Sequence, residues 1–298
     1  MKYKKNFWFK YSKNREFHLN SFRNTKQNNI FTTWSPYSRG LTFYAFLVNY
    51  FVKINKVDFI NFKKKINNKN IGNPPKIFFD KKYNITYDDC ISYEEIKFLK
   101  KNLKKKKKLN VIEIGPGYGR TVEAVIKNYN INNYFVIDYR QILTITKKYL
   151  KSILEKKYFD KIFFIEFEKF NFKKDYFKGS KFDLFINSDS FHEIEPKIIH
   201  AYLSYFKNLS TSFYIKNAIG KYRPTDLINH LSKKSIPKFN LKLGLIKDKI
   251  NLFDNKLVKL QIKKYNNKYN PDKKYFKAFF EHSEIYPITL HSLFKRKR

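Results

Sequence analysis

Residues 111–120, VIEIGPGYGR, hold three of the eight glycines in a chain of 298 residues. An even distribution would place one glycine in about 37 residues (298/8). The stretch begins in an apolar run, 109–114, with the composition of a buried strand, and residues 120–129 have the pattern of a helix. Gly115, Gly117 and Gly119 therefore lie in a strand-to-helix turn. Glycine there permits positive φ angles and lets a ligand approach the backbone amides at the helix N-terminus, which indicates a nucleotide-like cofactor.

The spacing and the nearby acidic residues narrow the choice of cofactor. The glycines read G-x-G-x-G rather than the G-x-G-x-x-G of dinucleotide sites, and Glu113 lies two positions before the first of them. These features favour S-adenosylmethionine over NAD. Asp138 ends the second predicted strand, 19 residues after Gly119 (138 − 119), where a carboxylate can accept both ribose hydroxyls. We also expect cofactor contacts from Tyr118 in the turn and from Glu168 after the third strand. A tight turn without a ligand is the alternative interpretation.

The order of the predicted elements indicates the fold class. From residue 109 to residue 217, short β-rich apolar runs alternate with amphipathic segments, which is typical of a parallel sheet covered on both faces. Residues 238–246 and 256–265 predict two strands of an antiparallel hairpin. We therefore predict an α/β, Rossmann-like, doubly wound and mostly parallel sheet with an antiparallel C-terminal hairpin at 106–298. A mainly helical N-terminal region is predicted at 1–105.

The fourth predicted strand and the residues after it carry the candidate chemistry. Residues 182–196, FDLFINSDSFHEIEP, contain no Lys or Arg, although 63 in 298 residues predicts about three in a window of 15. Ligands in open parallel sheets bind beyond the carboxyl ends of the strands, so we expect Asn187, Ser188, Asp189, His192 and Glu193 to line the site. Asn187 is expected to contact the cofactor. His192 is the candidate general base, because imidazole can accept a proton from a hydroxyl near neutral pH. The alternative is that His192 and Glu193 only cap the next helix.

Three stretches together resemble a known family. They are VIEIGPGYGR, the VID that ends at Asp138, and FDLFINSDSFHEI. They resemble class I S-adenosylmethionine-dependent methyltransferases, most closely the sugar O-methyltransferases, roughly over residues 70–290. The resemblance implies a seven-stranded sheet, methyl transfer from S-adenosylmethionine, and a sugar hydroxyl of a glycan, or of a precursor such as a nucleotide sugar, as the acceptor. It implies cofactor contacts from Glu113, Gly115, Gly117, Gly119 and Asp138, and it places Asp189, His192 and Glu193 near the acceptor.

The formal net charge of +38 raises the question of a nucleic-acid partner. A/T-rich codon usage also explains the charge, because Lys, Asn, Ile, Phe and Tyr are abundant together and the lysines are spread along the chain. Enzymes that methylate exocyclic amines carry an Asn/Asp-Pro-Pro-aromatic loop after the fourth strand, where this chain has NSDS at 187–190. Nucleic acid is therefore a disfavoured partner. Methylation of an RNA ribose or base carbon stays open as an alternative, as does a catalytically inert cofactor-binding scaffold.

The remaining composition favours a cytoplasmic protein. Cys90 is the only cysteine, so no disulfide within the chain is expected. The longest apolar run, 41–52, is shorter than the about 18 residues that cross a bilayer, so no transmembrane segment is predicted. Asp189, His192, Glu193 and Glu195 carry metal-binding atoms, but residues so close in one loop rarely converge on one ion, and no metal is predicted. The oligomeric state is left open.

Overall fold

The structure is a computed structural model that describes residues 18–23, 41–66, 71–79, 83–104, 107–174, 176–177, 179–221, 242–274 and 276–297. The chain divides into two compact units. The first unit takes its described residues from Met1–Lys97, Lys106–Leu109 and Pro116–Phe170, and the second from Phe98–Lys105, Asn110–Gly115 and Asn171–Arg298.

The helices and strands are given in chain order. They are α1 (Leu41–Ile54), α2 (Lys56–Lys65), β1 (Ile77–Phe79), β2 (Tyr83–Ile85), α3 (Tyr87–Asn102), β3 (Leu109–Ile114), α4 (Arg120–Asn128), β4 (Ile131–Asp138), α5 (Arg140–Ile153), α6 (Lys156–Phe159), β5 (Ile162–Glu166), β6 (Leu184–Ser188), α7 (Pro196–Phe206), β7 (Ser212–Ala218), α8 (Asn255–Tyr269), β8 (Phe276–His282) and β9 (Thr289–Arg296). Two single 3₁₀ turns occupy Phe167–Lys169 and Phe191–Glu193.

The main sheet has seven strands in the order β5-β4-β3-β6-β7-β9-β8. The pairs β4–β5, β3–β6 and β6–β7 are parallel, whereas β9 is antiparallel to both β7 and β8. The prediction of a doubly wound, mostly parallel sheet with an antiparallel C-terminal hairpin is confirmed. The strand order reverses at β3, and ligands of such sheets bind beyond the carboxyl end of the strand where this happens.

In the first unit, aromatic side chains connect the helices that precede the sheet. Phe59 contacts the ring of Tyr93 at 5.4 Å between centroids, and Phe51 and Phe62 contact the same tyrosine at 5.9 and 5.6 Å. All four side chains are buried, so α1, α2 and α3 share one apolar core. In this unit β4 and β5 pair from Tyr134–Ile162 to Asp138–Glu166.

In the second unit, β6 is buried along its whole length, as expected for a central strand covered on both faces. Phe185 of β6 lies 4.8 Å from Phe213 of β7 and 5.4 Å from Phe206 of α7, measured between ring centroids. The register pairs Ser188, the last residue of β6, with Lys216 of β7. This register fixes which side chains meet at the carboxyl ends of the two strands.

The prediction of which residues form the C-terminal hairpin was wrong. Residues 256–265 lie in helix α8, and the hairpin consists of β8 and β9 instead. The side chain of Asp254 caps α8 by accepting the amides of Lys256 and Leu257, and the residues buried at i, i+4 and i+8 are Gln261, Tyr265 and Tyr269. The alternation of apolar and polar residues at 260–263 looked like a strand. Of residues 238–246, 238–241 lie outside the described residues and 242–246 form no strand.

Within the described residues, the N-terminal region contains the helices α1, α2 and α3, in agreement with the predicted helical character. It also contains a short antiparallel strand pair, β1–β2, that the sequence pattern did not indicate. None of the helices in the described part of the chain combines the length and the apolar character needed to cross a membrane. The predicted boundary at residue 105 stays a prediction.

Candidate functional site

The glycine turn follows β3 as predicted. Gly115, Gly117 and Gly119 have φ angles of 71°, 56° and 103°, in the left-handed region that other residues rarely adopt. A Cβ atom at Gly119 would lie 2.9 Å from Cγ of Leu150, and one at Gly115 would overlap the side chain of Ser190. The backbone conformation therefore favours glycine at all three positions, and close packing adds to this at Gly115 and Gly119.

Asp138, the last residue of β4, lies against this turn. Its carboxylate accepts hydrogen bonds from the amide of Tyr139, at 2.7 Å, and from the amide of Gly117. Loss of hydration raises the pKa of Asp138 to about 7; the two amide hydrogen bonds oppose this shift, and the negative charge of Glu168 adds to it. Because burial keeps water from the carboxylate, a ligand that supplies hydroxyl donors would stabilise its charged form.

Glu168 lies on the 3₁₀ turn that follows β5. Both of its carboxylate oxygens accept from the amide of Arg140 at 3.2 Å, at the N-terminus of α5. Negative charge is favourable at this position, because the first amides of a helix have no partner within the helix. Asp138 and Glu168 thus form an acidic pair at the carboxyl ends of β4 and β5.

Helix α5 and helix α3 hold the turn from two sides within the first unit. The hydroxyl of Thr146 on α5 donates to the carbonyl of Gly117 at 2.6 Å. The hydroxyl of Tyr118 donates to Asp88 on α3 at 2.8 Å, and Arg23 donates to the same carboxylate at 2.7 Å. The hydroxyl of Tyr118 is therefore directed at Asp88, and a cofactor contact from Tyr118 stays a prediction.

A second ion pair connects α3 with the start of α4. Both terminal nitrogens of Arg120 donate to Glu95, each at 2.9 Å, and Glu95 is 1% exposed. The Glu95 carboxylate also accepts from the hydroxyl of Thr121 at 3.2 Å. Burial opposes the charge of Arg120, but the carboxylate outweighs this effect and raises the pKa of the guanidinium. Because Arg120 and Thr121 directly follow Gly119, their contacts with Glu95 fix the position of the last glycine of the turn.

In the second unit, two buried amide side chains organise the segment after β6. Asn187 donates to the carbonyl of Ile114 at 2.9 Å and to the hydroxyl of Ser190, and its oxygen accepts from the amide of Phe191 at 3.1 Å. Asn217 of β7 donates to the same oxygen at 2.9 Å. All four hydrogen-bonding positions of Asn187 are used within the protein. A cofactor contact from Asn187 stays a prediction, as it does for Glu113, which is buried in β3.

His192 is held by Asn217 in one orientation. The Asn217 oxygen lies 3.2 Å from the His192 amide nitrogen and 3.2 Å from ring atom Nδ1. Since an amide oxygen only accepts, Nδ1 carries the proton and Nε2 is the basic atom of the neutral ring. Nε2 lies 3.4 Å from Glu193, and both side chains are partly exposed, at 15% and 17%. A ring held in this tautomer beside a carboxylate can accept a proton.

Lys216 is a charged residue of this segment that the sequence analysis missed. Its ammonium group donates to Asp189 at 2.6 Å, and its side chain is only 2% exposed, compared with 36% for Asp189. Asp189 has a positive φ of 59°, and its amide donates to the Lys216 carbonyl at 2.7 Å. A lysine within the apolar strand SFYIKN was the available signal.

Lys221 lies on the other side of the 3₁₀ turn. Its ammonium donates to the carbonyl of His192 at 3.1 Å. Burial lowers the pKa of Lys221 to about 8, and the charge of Glu193 limits the shift. The candidate residues Asp189, His192 and Glu193 are thus flanked by two lysines. Within the described residues, no group of three or more His, Cys, Asp or Glu side chains is arranged to hold a metal ion.

The Asp189–Lys216 pair yields an asymmetric stability prediction. Asp189→Asn, which tolerates the positive φ, is expected to lower the free energy of unfolding by about 3 kcal/mol, because it leaves a buried ammonium without the carboxylate. Lys216→Met is expected to cost about 1 kcal/mol, because the partly exposed Asp189 can turn to water. Urea unfolding of both variants checks this. An equal or larger loss in Lys216→Met would contradict it.

No protein-family model matches the sequence, and no curated protein matches it. Among solved structures, the methyltransferase domain of bacterial CtHen1-C is 14% identical with a TM-score of 0.45, over 68% of this chain and 95% of its own.

Two further solved structures are O-methyltransferases by name. The mitomycin 7-O-methyltransferase MmcR is 9% identical with a TM-score of 0.44, over 71% of this chain and 56% of its own. An O-methyltransferase family protein from Burkholderia thailandensis is 10% identical with a TM-score of 0.41, over 70% of this chain and 59% of its own. Identities this low with TM-scores below 0.5 support no conclusion about the reaction or the acceptor of this chain.

Proposed function

We propose that the chain is an S-adenosylmethionine-dependent O-methyltransferase whose acceptor is a sugar hydroxyl of a glycan or of a nucleotide-sugar precursor. The observation that carries the proposal is the Asp138 carboxylate, which lies against the glycine turn and accepts the amide of Gly117. A carboxylate at the end of the strand after a glycine turn is suited to bind the two hydroxyls of an adenosine ribose.

The donor and acceptor groups of the first unit fit this cofactor. Two ribose hydroxyls would donate to Asp138 and would stabilise its charged form, which burial disfavours. Glycine in the turn allows close approach to the backbone amides at the start of α4. When bound, S-adenosylmethionine supplies an electrophilic methyl group on a sulfonium. Asp138 and the turn would bind and orient it, while Glu168 adds negative charge at the end of β5.

The candidate groups for the acceptor lie in the second unit. His192 Nε2 would take the proton of the acceptor hydroxyl as its oxygen is methylated, because Asn217 holds the proton on Nδ1. Glu193, 3.4 Å from Nε2, would stabilise the resulting imidazolium. Asp189, oriented by Lys216, would accept a hydrogen bond from a neighbouring hydroxyl of the sugar.

The choice of a sugar is supported by the motifs at 111–120 and 182–194, which resemble sugar O-methyltransferases. The partial exposure of Asp189, His192 and Glu193 also agrees with it, since a sugar presents several hydroxyls that each need a partner. A scaffold function would be favoured by a buried and fully paired 189–193 segment, and this segment is partly exposed.

Substitution of His192 tests the proposal. His192→Ala is expected to lower methyl transfer by about 100- to 10,000-fold, the range for loss of a general base, with affinity for S-adenosylhomocysteine changed less than about twofold. The measurement is incorporation of label from S-adenosylmethionine into separated glycan and RNA fractions of a cell extract, alongside calorimetry. His200→Ala, an exposed histidine on α7, is the matched control.

The possible results test the acceptor, the general base and cofactor binding separately. Label in RNA rather than glycan would overturn the sugar acceptor and leave the methyltransferase. Unchanged transfer in His192→Ala would exclude His192 as the base. Cofactor binding with no transfer to any fraction would favour the scaffold, and no binding at all would overturn the proposed function.

A further inference from the structure

Helix α1 and the first turn of α2 expose a row of large apolar side chains. Phe46, Tyr50, Ile54 and Val57 are exposed by 72%, 67%, 53% and 72%. The first three are four residues apart on α1, so they lie on one side of that helix. We call these four residues the α1 stripe. The opposite side of α1 packs into the core of the first unit, where Phe51 and Val52 are 2% and 0% exposed.

Such a stripe is unusual for a helix that is already packed on one side. A helix that is apolar all round is normally buried or lies against a second apolar surface. Other exposed large apolar residues of the described chain, such as Phe253, Leu260 and Phe280, are not arranged as a row of four. The α1 stripe therefore indicates a contact surface rather than scattered surface residues.

Basic residues accompany the stripe. Lys53 lies between Tyr50 and Ile54 and is exposed, and Lys64 and Lys65 are exposed at the end of α2. Residues 41–66 contain five lysines and one acidic residue, Asp58. Apolar side chains bordered by lysines on a convex helix fit the boundary of an anionic bilayer, where the apolar groups enter the acyl region and the ammonium groups contact the headgroups.

Charge and area disfavour the other occupants. Two copies joined through the stripe would bring two lysine-rich segments together, and like charges repel. Phe46 and Tyr50, of about 200 Å² each and exposed by 72% and 67%, offer roughly 280 Å². The smaller Ile54 and Val57 offer less than this, so the total stays below the about 800 Å² per partner of a stable interface. Single-stranded RNA needs aromatic faces for stacking, which Ile54 and Val57 do not have.

We propose that the α1 stripe docks the protein on an anionic phospholipid surface, with Phe46, Tyr50, Ile54 and Val57 inserted at the boundary between headgroups and acyl chains. The stripe shares no residue with the proposed methyl-transfer site. The protein would lie on the membrane surface, and only one face of α1 with the start of α2 would enter the bilayer.

Sedimentation of the full chain with phospholipid vesicles tests the proposal. We expect binding to phosphatidylcholine vesicles with about 30% phosphatidylglycerol, part of which persists at about 0.5 M salt, where electrostatic attraction is largely screened. The combined variant Phe46→Ser, Tyr50→Ser, Ile54→Ser and Val57→Ser is expected to lower the high-salt partition coefficient at least tenfold. The matched control, Phe253→Ser with Leu260→Ser, removes exposed apolar residues elsewhere and is expected to bind as the unchanged chain does.

Several results would overturn the proposal. Wild-type binding that vanishes completely at high salt would show attraction by charge alone. Equal loss in the control variant would show a general effect of surface hydrophobicity. A stripe-dependent dimer in sedimentation velocity without lipid, or stripe-dependent binding of poly-U, would assign the surface to a second copy or to RNA. Circular dichroism and S-adenosylhomocysteine binding, measured on the same variants, report folding and the proposed function separately.

Discussion

Asp138→Ala is expected to weaken binding of S-adenosylhomocysteine by roughly 100- to 10,000-fold. The carboxylate would accept two ribose hydroxyls, and hydrogen bonds to a charged group contribute about 1.5–3 kcal/mol each, with about 1.4 kcal/mol for each tenfold in affinity. Titration calorimetry on the folded variant measures the loss. Asp160→Ala, which removes an exposed acid from the same unit, is the control and should leave the affinity unchanged. An affinity within tenfold of wild type in Asp138→Ala would exclude the ribose-binding role.

The affinity should also depend on pH. The carboxylate accepts both hydroxyls only when it is ionised, and its pKa without ligand is about 7. Binding is therefore expected to tighten as pH rises from 6 to 8 and to release about half a proton at pH 7. Calorimetry in buffers of different ionisation enthalpy measures this proton release. Asp138→Asn should bind weakly at every pH, without the proton release.

The same pKa has a consequence for stability without ligand. The unfolded chain loses the Asp138 proton near pH 4, whereas the folded chain keeps it until about pH 7. Because the folded state binds this proton more tightly, protonated Asp138 contributes to the free energy of unfolding. This contribution is fully present below about pH 4 and is lost as the pH rises through 7. Asp138→Asn removes this loss, so it should raise Tm at pH 8 and leave it nearly unchanged at pH 4.

The features that were predicted from the sequence depend on residues close together in the chain. The glycine turn, its position between β3 and α4, and Asp138 at the end of β4 all follow from local patterns of strand, turn and helix. The seven-stranded sheet followed because strands and helices alternate over 109–217, and because the motif resemblance implied the strand number. Local patterns failed at α8, where residues 256–265 satisfied a strand pattern over a few positions but a helix over fifteen residues.

The features that were missed are pairs of residues far apart in sequence. Arg120 and Glu95 are 25 residues apart, and Lys216 and Asp189 are 27 apart. In a chain with 63 basic residues, no spacing rule shows which lysine or arginine is buried against a carboxylate. The scarcer acidic residues were the better guide, since α3 carries Asp88, Asp89, Glu94 and Glu95 and three of these four are buried.

Single substitutions in the Arg120–Glu95 pair are expected to produce a large loss of stability. Arg120→Met leaves the Glu95 carboxylate, 1% exposed, without the two guanidinium hydrogen bonds at 2.9 Å. Breaking a buried pair from one side costs about 3–5 kcal/mol. Glu95→Gln should cost about as much, because it leaves the guanidinium, 15% exposed, without a charged partner. Urea unfolding at neutral pH measures both.

Two comparisons distinguish the pair from a general effect of charge. The double variant Arg120→Met with Glu95→Met should lose less than the sum of the single losses, because neither buried charge is then left alone. Glu155→Ala, which breaks the exposed pair with Lys157, should give no measurable change. Because Arg120 begins α4 directly after Gly119, the single variants should also weaken S-adenosylhomocysteine binding, whereas Glu155→Ala should not. Full stability in Arg120→Met would show that Thr121 and the backbone hold Glu95 without the guanidinium, and that the turn does not need this ion pair.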